Sequence, residues 1–223
     1  MSEIKIVAID IDGTLINDRH EITPAVKQAV QAALAQGVKI VITTGRPLPG
    51  VQKILSELNI TGSDQYVITY NGGLIQTADG QKTLFRQPLA VAEFQKINAF
   101  MTAQQVYVQV ESHDAAYTTN HCIHPWASFE NSLVNLPLFV LDSEAELEKI
   151  AFIKAIANAE SDELDAVQAA VPKTISEHVN VIRSTANNLE FIDRQASKGN
   201  ALLALADELG VPHDATMAIG DQA

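Results

Sequence analysis

Short runs of β-branched residues, each closed by a polar turn and followed by a segment of helical period, dominate the first third of the chain. Ile4-Lys5-Ile6-Val7-Ala8-Ile9 stops at Asp10-Ile11-Asp12-Gly13, Val38-Lys39-Ile40-Val41-Ile42-Thr43 at Thr44-Gly45, and Tyr66-Val67-Ile68-Thr69-Tyr70 at Asn71-Gly72-Gly73. Runs this apolar read as strands covered on both faces. After the first, Thr23-Pro24 supplies a helix cap and a first-turn proline, Val26, Val30 and Leu34 make one apolar face, and Gly37 ends it. After the second, Val51, Ile54, Leu55 and Leu58 recur at helical spacing. Strand, helix, strand, helix, strand with short links is the pattern of an α/β protein: a doubly wound, Rossmann-like parallel sheet. Right-handed crossovers make the strands run the same way, so their C-terminal ends share one edge.

The pattern changes at Asp79-Gly80, a hairpin-like turn. Beyond it a helix is expected from about Val91 to Met101, and strands over 106–110, 115–119, 179–183 and 189–193. Residues 144–158 are ambiguous, helical at first and strand-like from Ala151. This mixture reads as an inserted α+β domain, residues 87–193, interrupting a core of residues 1–86 and 194–223. The core resumes with a helix bearing Leu202, Leu205, Ala206 and Leu209, then Thr216-Met217-Ala218-Ile219, expected to be a fourth buried strand, and Gly220-Asp221.

Composition removes several function classes. The 27 acids against 15 bases leave a net charge of −12, which repels nucleic acid and anionic membrane alike. No run approaches the roughly 18 apolar residues of a membrane span. The first residues lack a signal-peptide pattern, and the single cysteine, Cys122, allows no internal disulfide, so a cytoplasmic protein is expected. His121-Cys122-Ile123-His124 fits no zinc spacing and reads as ordinary structure. Oligomeric state is not encoded legibly.

Asp10, Asp12, Thr44, Asn71 and Asp221 stand at the strand ends, where open α/β sheets bind ligands. Three carboxylates gathered there would repel one another and any phosphate unless a cation neutralised them, and an all-oxygen site suits Mg²⁺. Asp10 and Asp12 lie two apart on an extended chain and can face one ligand, and Gly13 lets the backbone turn. One acid can attack phosphorus while the other donates and accepts a proton. Each residue has a plainer reading. Thr44 can cap the following turn, Asn71-Gly72 can be only a turn, and Arg46 can reach the substrate or pair with a surface acid. Lys198 opens a helix, where its charge opposes the dipole, so a functional reason for it is favoured.

Asp10-Ile11-Asp12-Gly13-Thr14-Leu15, Thr43-Thr44-Gly45-Arg46-Pro47, Tyr70-Asn71-Gly72-Gly73, Lys198-Gly199 and Ala218-Ile219-Gly220-Asp221 resemble, in order, the motifs of the haloacid dehalogenase superfamily. The resemblance is to its Cof-type phosphatases, most of all the YidA-like sugar phosphatases. It implies Mg²⁺-dependent hydrolysis of the phosphate monoesters of small metabolites, with Asp10 as nucleophile and Asp12 as general acid and base. It also implies a metal held by Asp10, the Asp12 carbonyl and Asp221, and a phosphoryl group held by Thr44, Lys198 and the backbone of Ile11 and Gly45. Arg46 and Asn71 are candidates for contacting the substrate, and the insert would be a C2-type cap. The last motif of that family continues Gly-Asp-x-x-Asn-Asp, whereas this sequence reaches Gln222-Ala223. An incomplete core with an exposed edge or apolar face is therefore expected. An inactive or regulatory phosphate-binding homologue, or a phosphotransferase or mutase, remains open beside the phosphatase.

Overall fold

The computed structural model describes residues 3–221. It separates into two compact units, Met1–Arg86 with Ser197–Ala223, and Gln87–Ala196. The first unit opens with β1 (Ile6–Asp10), α1 (Pro24–Ala35), β2 (Lys39–Thr43), α2 (Gln52–Glu57), β3 (Tyr66–Thr69), β4 (Leu74–Thr77) and β5 (Thr83–Arg86). Thr23 caps α1 through its hydroxyl oxygen, which accepts from the Val26 N–H at 3.4 Å. The helical period at 51–58 resolves into a 3₁₀ turn, Leu48–Val51, running into α2, because Pro47 and Pro49 crowd its start.

The second unit contributes α3 (Val91–Ala103), β6 (Tyr107–Glu111), β7 (Ala116–Thr118), α4 (Pro125–Leu133), β8 (Leu138–Val140), α5 (Glu144–Leu147), β9 (Lys154–Asn158), α6 (Ser161–Ala169), α7 (Lys173–Ser176), β10 (Val179–Thr185) and β11 (Asn188–Asp193). The chain then returns to the first unit with α8 (Lys198–Glu208) and β12 (Thr216–Ile219). No helix of the described residues is long and apolar enough to cross a membrane.

The first unit's sheet has the order β12-β1-β2-β3-β4-β5. Its first four strands are parallel; β4 and β5 turn back antiparallel. Alternate residues feed two cores. Ile9, Ile40, Ile42 and Val67 pack with Val30 of α1 and Leu55 of α2, while Ile6, Ala8, Val41 and Ile68 pack with Ala201, Leu202 and Leu205 of α8. Helices therefore cover both faces, and each fully buried Ile or Leu contributes about 1.5–3 kcal/mol. The expected fourth buried strand is corrected here. β12 lies at the sheet edge, paired with β1 alone among the described residues, and leaves Met217 47% and Ile219 41% exposed.

The second unit has its own sheet, β10-β11-β9-β6-β7-β8, antiparallel except for β7 with β8. Val108, Val110, Ala155, Ala157, Leu189 and Phe191 form one face, packed with Phe94, Ile97, Leu164 and Ile175 of the helices. The alternate face mixes Ile156 and Ile192 with polar residues that are nevertheless buried. Gln109 exchanges two amide hydrogen bonds with Asn131 of α4, both 3.0 Å. Lys154 lies 3.3 Å from Glu111 and 3.1 Å from Glu190. Burial pushes the Glu111 carboxyl up, and Lys154 offsets only part of that. Burial also works against the charge of Lys154, but the two carboxylates outweigh it and hold the ammonium protonated. One cation thus serves two acids.

Glu111→Gln removes one of the two carboxylates that flank Lys154. Because the folded value of Glu111 is raised above its ordinary 4.5, the stability this group contributes is complete below that pH and is lost as pH rises through the folded value. The melting temperature of Glu111→Gln is therefore expected to gain on wild type as pH rises above 4.5. Lys154→Met, which strands two buried carboxylates, is expected to lose about 3–5 kcal/mol. Thermal denaturation over a pH series measures both.

Candidate active site

Parallel pairing brings the motif residues to one edge of the first unit. Asp10 ends β1 opposite Thr43 of β2, and Ile9 is opposite Ile219 of β12, so Gly220-Asp221 emerges beside the end of β1. Thr44 continues β2, donating its N–H to the Ile68 carbonyl at 2.9 Å, while its own carbonyl accepts from the Asn71 N–H at 2.9 Å. The ends of β2 and β3 are thereby tied together.

After β1 the chain turns sharply over Ile11–Leu15: Asp12 stays extended, Gly13 takes φ +78°, and the Ile16 N–H reaches the Ile11 carbonyl at 3.2 Å. The Gly13 position requires glycine twice over. Its backbone is left-handed, and a Cβ there would lie 2.7 Å from Oδ2 of Asp221. The C-terminal acid is thus seated directly on the Asp12-Gly13 turn.

Lys198 is the first residue of α8, behind the N-cap Ser197, whose hydroxyl accepts from the Asn200 N–H at 3.0 Å. Its Nζ donates to Oδ1 of Asp10 at 2.7 Å, with 14% of the Asp10 side chain and 35% of the Lys198 side chain exposed. This contact offsets the unfavourable placement of a cation at a helix N-terminus. The residue that seats it was not singled out from the sequence. Tyr70, Asn71 and Gly72 all have positive φ, 53°, 54° and 94°. A Cβ on Gly72 would lie 2.1 Å from the Ser197 carbonyl oxygen, so the backbone that carries Lys198 occupies the space a side chain would need. The Asn-Gly dipeptide was the available signal: it marks left-handed backbone, though not what packs there.

Asn71 is brought to the β2 loop, where a Cβ on Gly45 would lie 3.0 Å from its Oδ1. The Thr44 hydroxyl is buried and accepts from the Arg46 N–H at 3.2 Å, the turn-capping contact, and its own proton remains available to a ligand. Arg46 reaches neither Asp10 nor Asp221 in any contact described; its Nη2 donates to Oδ1 of Asp12 at 2.7 Å. Asp10 and Asp12 therefore have separate cationic partners. Ile11 is fully buried between them.

One expectation needs correction. Among the described residues no cluster of three or more Asp, Glu, His or Cys side chains forms a candidate metal site. The carboxylate of Asp12 is held by Arg46 and is 56% exposed, so charge repulsion among three acids is not the argument for a metal. What remains on this sheet edge is the Asp10 carboxylate at the end of β1, the Asp12 carbonyl in the turn that follows, and the Asp221 carboxylate, for which Gly13 leaves room against that turn. Two carboxylates and a carbonyl, with waters completing the shell, fit a small hard divalent cation.

The family model of haloacid dehalogenase-like hydrolases matches residues 7–223. A protein of Streptococcus pyogenes serotype M6, provisionally named a phosphatase, is 38% identical over 218 residues, covering 98% of this chain and 81% of the relative. YxeH of Bacillus subtilis strain 168, with the same provisional name, is 34% identical over 217 residues, covering 97% of this chain and 80% of its own. A haloacid dehalogenase-like hydrolase from Bacteroides thetaiotaomicron shares the fold, with a TM-score of 0.83 at 21% identity, over 98% of this chain and 82% of that one. This chain belongs to the haloacid dehalogenase-like hydrolase family, and its class of enzyme is phosphatase.

Gly72→Ala must push back the Ser197 backbone and is expected to cost about 1–3 kcal/mol, as overpacking typically does, and to lower turnover by moving Lys198 away from Asp10. Gly199, one residue beyond Lys198, has nothing within 4 Å of its Cβ position. Gly199→Ala is expected to be neutral or to stabilise by up to about 1 kcal/mol through helix propensity. Urea denaturation of both variants, with initial rates, checks the contrast.

Proposed function

We propose that this protein hydrolyses phosphate monoesters of small metabolites, sugar phosphates among them, through an aspartyl-phosphate formed on Asp10. The observation that carries the reading is the Asp10–Lys198 pair at 2.7 Å, on the same sheet edge as the Gly13–Asp221 contact. It supports the reading because Asp10 and Lys198, far apart in the chain, are the pair such a mechanism needs as nucleophile and as cation for the incoming phosphate. The emphasis on sugar phosphates rests on the motif resemblance alone.

In this mechanism an Asp10 carboxylate oxygen attacks phosphorus as the bond to the leaving oxygen breaks. Lys198, the Thr44 hydroxyl and the N–H groups of Ile11 and Gly45 hold the phosphoryl oxygens, whose charge needs fixed donors in the transition state. The Asp12 carboxyl gives its proton to the leaving oxygen. Its carboxylate then takes a proton from water, which attacks the phosphorus of the aspartyl-phosphate, releases inorganic phosphate and restores Asp10. Mg²⁺ would be held by the Asp10 and Asp221 carboxylates and the Asp12 carbonyl, and when bound it supplies positive charge against the phosphoryl group.

The separate compact unit 87–196, with its own sheet, supports reading the insert as a substrate-selecting cap. A cytoplasmic location is proposed with it, on the single, free and exposed Cys122. Phosphate release from 4-nitrophenyl phosphate is expected to require Mg²⁺, to stop with a chelator, and to fall more than about 1,000-fold in Asp10→Ala, as loss of a nucleophile does. Unchanged turnover in that variant rejects the mechanism. A panel of sugar phosphates then tests the substrate class.

A further inference from the structure

The contact between Arg46 and Asp12 has no part in the scheme above, although it involves the residue proposed to move both protons. Arg46 is held on its backbone: its N–H donates to the Thr44 hydroxyl oxygen at 3.2 Å, and its carbonyl faces the Tyr70 N–H at 3.5 Å. Both anchors belong to the loops that close β2 and β3, so the root of the side chain is fixed to the sheet edge. The guanidinium reaches across 34 positions of sequence to Oδ1 of Asp12 at 2.7 Å. Asp12 lies in the turn beside Gly13, is 56% exposed, and makes no other side-chain ion pair or hydrogen bond described in the structure. Without Arg46 that carboxyl would be free to rotate in solvent.

We propose that Arg46 is a positioning residue for Asp12. By occupying Oδ1 it fixes the plane of the carboxyl and leaves Oδ2 as the oxygen that carries the proton to the leaving group. The inference rests on the phosphatase reading and on the role of Asp12 within it, and it gives Arg46 a task other than binding the phosphoryl group. A half-exposed pair of this kind contributes little to stability, so its value lies in orientation. Proton donation matters more as the leaving oxygen becomes more basic. Loss of orientation should therefore be felt most with poor leaving groups.

The test compares 4-nitrophenyl phosphate, whose leaving group needs little protonation, with phenyl phosphate, similar in shape and far more dependent on it. Arg46→Ala is expected to lower kcat/KM for phenyl phosphate by about 10- to 100-fold, the scale of a misplaced catalytic group. That loss should exceed the loss with 4-nitrophenyl phosphate by at least about tenfold. Arg46→Lys is expected to recover much of the difference, because the contact is a single N–O pair that an ammonium can replace. Equal losses on the two esters, as removal of a phosphate-binding cation would give, overturn the inference and leave the phosphatase reading intact; so does no loss on either. Wild-type protein without turnover dependent on Asp10 overturns both.

Discussion

The in-register parallel pairing of β1 between β2 and β12 is the constraint on which the rest of the site depends. A parallel strand held on both sides has its end fixed to within a residue, because the side-chain period is two and a slip would turn Ile6 and Ala8 into the wrong core. With Ile6 and Ala8 packed toward α8 and Ile9 toward α1 and α2, Asp10 can leave the sheet at one place only. The same register carries Thr44 and Asp221 to that edge. The apolar packing of both faces is thus also what brings the charged groups together.

Once there, the charges sort themselves into pairs instead of crowding. Lys198 takes Asp10, Arg46 takes Asp12, and Asp221 rests against Gly13. Two of these arrangements depend on missing side chains, since neither Gly13 nor Gly72 has room for a Cβ. The three consecutive left-handed residues at Tyr70-Asn71-Gly72 belong to the same economy of space. Backbone of this kind costs of order 1–3 kcal/mol at a non-glycine residue and persists where the surroundings enforce it. Here the surroundings are the hydrogen bond to the Thr44 carbonyl and the Ser197 backbone lying against Gly72.

The second unit solves a different problem with the same alternation. One face of its sheet is apolar beneath helices, and the other is a buried, largely polar surface in which Lys154 answers two carboxylates and Gln109 answers Asn131. Such a surface is costly to desolvate, and the contacts of Lys154 and Gln109 offset part of that cost.

Much of this was legible along the chain. The β-branched runs marked β1, β2 and β3 because strands covered on both faces need them, and Thr23-Pro24 marked the start of α1 because caps are local chemistry. The motif residues at strand ends were legible for the same reason. α4 and β8 were not, since the apolar residues Phe129, Leu133, Phe139 and Val140 are exposed and do not follow the burial rule that makes a pattern readable. The exposure of β12 was missed as well, because an apolar run looks alike whether one neighbour or two will pair with it. By itself, then, the sequence determined the α/β class, most of the core strands and the motifs that mark the family, all of which depend on near neighbours. Only the tertiary structure decided that Arg46 holds Asp12 and that Gly72 seats Lys198. Each of those turns on distances between residues tens to hundreds of positions apart, set by how the elements pack.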